Sequence, residues 1–135
     1  MGVTHFSGLV KPVIDWSANS GAKTLRQDQS GSTVLLGGTG AAITFPDASL
    51  EDGMYFEFFV AAVFSTDFVF TASPTDSFEG CILEVGAVQD VDAADTITLE
   101  DGVENLGDWY YFVSGNSKWF VMGSSLTAAS VTPAG

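Results

Sequence analysis

The chain reads as an all-β, jelly-roll-like β-sandwich preceded by an extended N-terminal arm, and three observations predict it. Short apolar runs rich in aromatic and β-branched residues are broken by Gly, Ser, Asp and Asn, with 15 glycines against 4 prolines. About ten such runs follow one another at close, fairly regular spacing, as the short strands of a sandwich do. No window carries a convincing amphipathic helix, and 87–94 is too acidic and too short for one.

Residues 1–21 form the expected arm. Gly, Ser and Pro12 interrupt Phe6, Leu9, Val10, Val13, Ile14 and Trp16, so no period is sustained. Such a segment buries its apolar residues only against something else, and Phe6, Leu9, Lys11, Val13 and Trp16 are the expected contacts with another chain. An edge strand on its own domain is the alternative. The body, 22–135, follows the Asn19-Ser20-Gly21 boundary.

Within the body, 24–26 is a weak strand and 33–36 a stronger one that stops at Gly37-Gly38-Thr39-Gly40. The next, 42–45, ends at Pro46-Asp47. Residues 54–64 make the longest apolar run. Glu57 marks an outward position there, which puts Tyr55 and Phe59 on its face and Met54, Phe56, Phe58 and Val60 on the other. Strands are expected at 67–71, at 81–88 with Glu84 pointing out, at 96–99 and at 129–132, with 72–78 a loop around Pro74.

Trp109–Met122 reads as a β-hairpin with a two-residue Gly115-Asn116 turn, because Gly and Asn tolerate the positive φ of tight turns. That turn pairs Phe112 with Trp119, Tyr110 with Val121, Tyr111 with Phe120 and Trp109 with Met122. Tyr110, Phe112, Trp119 and Val121 then share one face, and Trp109, Tyr111, Val113, Lys118, Phe120 and Met122 the other. The first set suits the domain's own core. The second is still largely apolar, so Trp109, Tyr111, Phe120 and Met122 are the expected interface with another chain, a second copy or a different partner.

With 135 residues the chain fits one domain. The net charge of −13 is uneven: residues 1–26 carry Lys11, Lys23 and Arg26 against Asp15, while residues 27–135 hold 16 acids and Lys118 alone. Such a body repels nucleic acid and anionic membranes. No run of about 18 apolar residues predicts a membrane span, and the N-terminus does not read as a signal peptide. No active site is expected. His5 lies on the arm and the single Cys81 in a strand. Gly37–Gly40 lacks the Lys-Ser/Thr of a phosphate loop and is followed by a strand. The acids at 90–95 and 100–104 read as solvated turns without calcium-loop spacing. No cofactor and no metal are expected.

The order Thr24-Leu25, Gln29–Leu36, Ala42–Pro46, Gly53-Met-Tyr-Phe-Glu-Phe, Ala94–Leu99, Gly107-Asp-Trp109 and Ser117–Val121 resembles capsid decoration (cement) proteins of tailed bacteriophages, especially marine ones. The resemblance covers most of residues 24–132 and rests on strand-and-turn patterns, without a catalytic signature. It implies a structural, non-enzymatic virion protein on the outer capsid surface, assembled as a homotrimer. The implied partner is the major capsid protein, with no nucleic acid and no membrane. No contact residues carry over, because attachment surfaces differ between phages. The alternative is a carbohydrate- or receptor-binding β-module of a phage fibre or adhesin, in which exposed Trp and Tyr grip the ligand.

Overall fold

The computed structural model describes residues 10–135, which form two mixed β-sheets packed as a sandwich. The strands are β1 (Val13–Asn19), β2 (Lys23–Thr24), β3 (Ser32–Thr39), β4 (Ala42–Thr44), β5 (Tyr55–Thr66), β6 (Phe68–Thr71), β7 (Phe78–Glu84), β8 (Ala87–Ala94), β9 (Thr96–Leu99), β10 (Trp109–Gly115), β11 (Lys118–Ser124) and β12 (Val131–Ala134). The seven-stranded sheet has the order β1-β3-β5-β10-β11-β7-β8, and the five-stranded sheet β12-β9-β6-β4-β2.

From β1 to β6 the chain alternates between the sheets. Each strand therefore returns beside the one two places earlier, running the same way. This is why β1–β3, β3–β5, β2–β4 and β4–β6 are parallel without any crossover helix. The later hairpins β7–β8 and β10–β11 supply antiparallel pairs.

The core lies between the sheets and is dominated by aromatics. Phe45, just past β4, meets Phe56, Phe58, Phe70, Phe78, Phe112 and Trp119 at ring-centroid distances of 4.7 to 6.0 Å. Tilted and edge-on arrangements favoured by the ring quadrupoles prevail. Trp119 satisfies its buried indole N–H on the Pro46 carbonyl at 3.0 Å.

The fold class holds, with twelve strands where about ten are expected, and several local expectations change. Residues 13–19 are no arm: β1 pairs with β3, and Ile14 and Trp16 pack on the chain's own core. The expected 81–88 strand is the second half of β7, a turn at Val85-Gly86, and the start of β8. Glu84 consequently points inward. Part of the 90–95 acid stretch belongs to edge strand β8 and is no turn. The β10–β11 turn is centred on Asn116 and Ser117, with φ of 52° and 58°, so Gly115 pairs with Lys118, Phe112 with Val121 and Tyr111 with Met122. Every cross-strand partner thus moves by two residues. An even shift preserves which side chains share a face, so the two sets stay as expected.

Candidate functional site

Strand register fixes what the outer face of the seven-stranded sheet displays. One row crosses the sheet as Val13, Thr33, Glu57, Tyr111, Met122, Cys81 and Asp90. The next runs Asp15, Leu35, Phe59, Trp109, Ser124, Leu83 and Val88. A third places Tyr55, Val113, Phe120 and Glu79 side by side. Trp109, Tyr111, Phe120 and Met122 therefore lie together outside the core; Phe120 is 42% exposed and Met122 56%.

Two substructures share this face. The first is an aromatic row around a carboxylate. Trp109 stacks on Tyr111 with centroids 6.3 Å apart, and Tyr55 lies 6.1 Å from Tyr111. Glu57 sits among them and accepts hydrogen bonds from Trp109 Nε1 (3.1 Å), Thr33 Oγ1 (3.1 Å) and Lys11 Nζ (3.3 Å). Partial burial pushes the Glu57 carboxyl up, but these donors, Trp109 foremost, hold it below its ordinary value. The second is an apolar groove of about 260 Å³ between Tyr111, Val113, Phe120 and Met122, with Gly80 alongside. Gly80 has φ of +143°, and a Cβ there would collide with the Val121 carbonyl oxygen. Only glycine lets β7 approach β11 so closely beside the groove.

The expected arm contacts divide. Phe6 and Leu9 lie outside the described residues. Lys11 pairs with Glu57 of its own chain, and Trp16 turns inward beneath the Lys23 ammonium, 5.8 Å from the ring centroid. Val13 is exposed at the sheet edge.

A buried polar network, not foreseen from the sequence, closes one end of the sandwich. Glu84 Oε2 accepts from Ser130 N (2.8 Å), Ser130 Oγ (3.1 Å) and Val131 N (2.9 Å), and Oε1 from Gln89 Nε2 (2.9 Å). Ser130 Oγ meets Ser125 Oγ at 2.6 Å, and Ser125 Oγ donates to Asp108 Oδ2 at 3.1 Å. Burial pushes Glu84 up, yet Gln89 and the Val131 and Ser130 donors pull it below its ordinary value. Burial, with the nearby Asp108 charge, pushes the Tyr110 phenol far above its ordinary range. Asp108, Glu84, Ser125 and Ser130 are all buried. The network fastens β12 and its preceding loop to β7 and to Asp108 just ahead of β10, with the half-buried Gln89 of β8 at its rim.

Among the described residues no group of three or more His, Cys, Asp and Glu is placed to hold a metal ion, and no helix is long and apolar enough to cross a membrane. No protein-family model, no curated protein and no solved structure matches this chain.

Proposed function

We propose that this protein is a structural virion component that binds the outer surface of a phage capsid and stabilises it by bridging neighbouring capsid subunits. In this reading it acts as a homotrimer joined through the outer face of its seven-stranded sheet, with the major capsid protein as its partner. The observation that carries the reading is the apolar character of that face around Tyr111, Phe120 and Met122. With strands about 4.8 Å apart and same-face rows about 7 Å apart, each position takes about 34 Å², so the 18 positions of the three rows make about 600 Å². That is the order of one side of a standard protein–protein interface, about 800 Å².

Free sheet edges offer less. Edge strand β1 is irregular between Trp16 and Asn19, β8 carries Asp90 and Asp92, β12 contains Pro133, and β2 has two residues. Each of these discourages edge-to-edge pairing. Association then falls to the face, and a symmetric oligomer gripping several capsid subunits dissociates slowly even when single contacts are weak.

The row Trp109, Tyr111 and Tyr55 around Glu57 favours a second reading, a carbohydrate platform in a fibre or adhesin. Mixing the purified protein with undecorated tailed-phage capsids, and separately with host surface glycans, distinguishes the two. Capsid co-sedimentation at a fixed copy number, without glycan binding, is the expected outcome. Glycan binding without capsid binding contradicts it.

A further inference from the structure

The sheet face is not the only apolar surface. Leu106, in the β9–β10 loop, is 65% exposed, and Leu126, in the β11–β12 loop, is 66% exposed. One buried carboxylate positions both. Asp108, 2% exposed, accepts from the Asn105 N–H at 2.9 Å through Oδ2 and from the Leu126 N–H at 3.1 Å through Oδ1. The Gly107 N–H, next to Leu106, donates to the Val60 carbonyl at 2.8 Å. Two loop leucines are thus held out to solvent on backbones that are already fixed. A partner binding them orders little, and such preorganisation favours affinity.

The loop bearing Leu106 is acidic. The Asp101 N–H donates to Asp67 Oδ1 at 2.8 Å, and Glu104 accepts from the Phe64 N–H at 3.0 Å, so the three acids gather beside the β5–β6 turn. The ion pairs among the described residues, Lys11–Glu57 and Arg26–Asp28, involve none of them. The hydrogen bond with Asp67 and the repulsion of Asp67 and Glu104 push the Asp101 carboxyl above its ordinary value.

We infer that this end of the sandwich, Leu106 and Leu126 with Asp67, Asp101 and Glu104, is a docking surface for a basic segment of a partner protein carrying aliphatic side chains between its lysines or arginines. The leucines supply apolar contact, and the carboxylates, which have no ion pair among the described residues, select positive charge and steer its approach. The inference concerns a surface separate from the sheet face and does not depend on the capsid reading.

The test uses the full chain and three labelled peptides of equal length, alternating Lys with Leu, Lys with Ser, and Glu with Leu. At near-physiological salt the Lys/Leu peptide should bind at least tenfold more tightly than the other two and shift the amide resonances of 105–107 and 126–127. Leu106→Ser with Leu126→Ser, both on exposed positions, should weaken it at least tenfold with the melting temperature unchanged. Asp101→Asn with Glu104→Gln should weaken it at least threefold and flatten its salt dependence. Equal binding by the Lys/Ser peptide, or unaltered binding by either double variant, would overturn the proposal. So would resonance shifts confined to Tyr111 and Phe120, or a change of oligomeric state in the leucine variant, which would make this surface a contact between copies.

Discussion

The two sheets share one core yet turn different chemistry outward. The outer face of the five-stranded sheet carries Thr24, Thr44, Thr71 and Thr96 in one row, and Ala42, Val69, Thr98 and Thr132 in the next. The seven-stranded sheet presents Phe59, Trp109, Tyr111, Phe120 and Met122 at comparable positions. Threonine has the β-branch that strands favour and a hydroxyl that water satisfies, so the first face is suited to solvent as it stands. Aromatic and thioether side chains fit a strand equally well, but their exposure has a cost that a partner removes. Strand propensity therefore accounts for both faces, and only the choice between hydroxyl and hydrocarbon separates the face suited to water from the apolar one.

Substitutions that remove the shared core should abolish the distinction altogether. Phe112→Ala, between the sheets, should destabilise the fold by about 3–5 kcal/mol, read from denaturant midpoints. Asp108→Ala should have a smaller effect, about 1–3 kcal/mol, because it strands buried donors at one end without opening the aromatic core. Glu84 adds a pH dependence. Its folded value lies below the ordinary 4.5, so its contribution is fully present above 4.5 and is lost as pH falls through the depressed folded value. Glu84→Gln should therefore flatten the acid limb of a stability-against-pH curve.

Smaller still on stability, and sharper on the comparison, are matched changes on the two faces. Phe120→Ser and Thr98→Ser should each alter the unfolding free energy by no more than about 1 kcal/mol. Phe120→Ser should weaken self-association at least tenfold by sedimentation, while Thr98→Ser leaves it unchanged. If both variants associate alike, the faces do not differ in function. The least effect belongs to Lys11→Gln. It removes a partly exposed ion pair worth about 0–1 kcal/mol, and raising salt should change wild-type stability by a similarly small amount.

The hairpin shows what a period-two pattern makes legible. Alternation along 109–113 and 118–122 assigns every side chain to a face, and that assignment survives a turn misplaced by one residue. Gly115 drew the expected turn to itself, whereas Asn116 and Ser117 take the positive φ. Elsewhere the signal was non-local. Glu84 lies in an apolar run and reads as an outward marker, because the Ser130 and Val131 donors that satisfy it are far along the chain. β1 reads as an arm because its small residues hide the pattern and its parallel partner β3 comes only after a strand of the other sheet. Among the candidate interface residues, alternation groups Trp109, Tyr111, Phe120 and Met122. The addition of Leu35 and Phe59 needs the register across β3 and β5.

Cys81 tests the central claim most directly. It is the chain's single cysteine, partly exposed on the outer face of the seven-stranded sheet, in register with Met122. Its alkylation rate should be measured in dilute protein and again under conditions where sedimentation shows the assembled form. Burial of this face predicts a rate at least tenfold slower on assembly, and recovery of the fast rate in Phe120→Ser. An assembled protein in which Cys81 reacts as fast as in the dilute chain would show that another surface makes the interface.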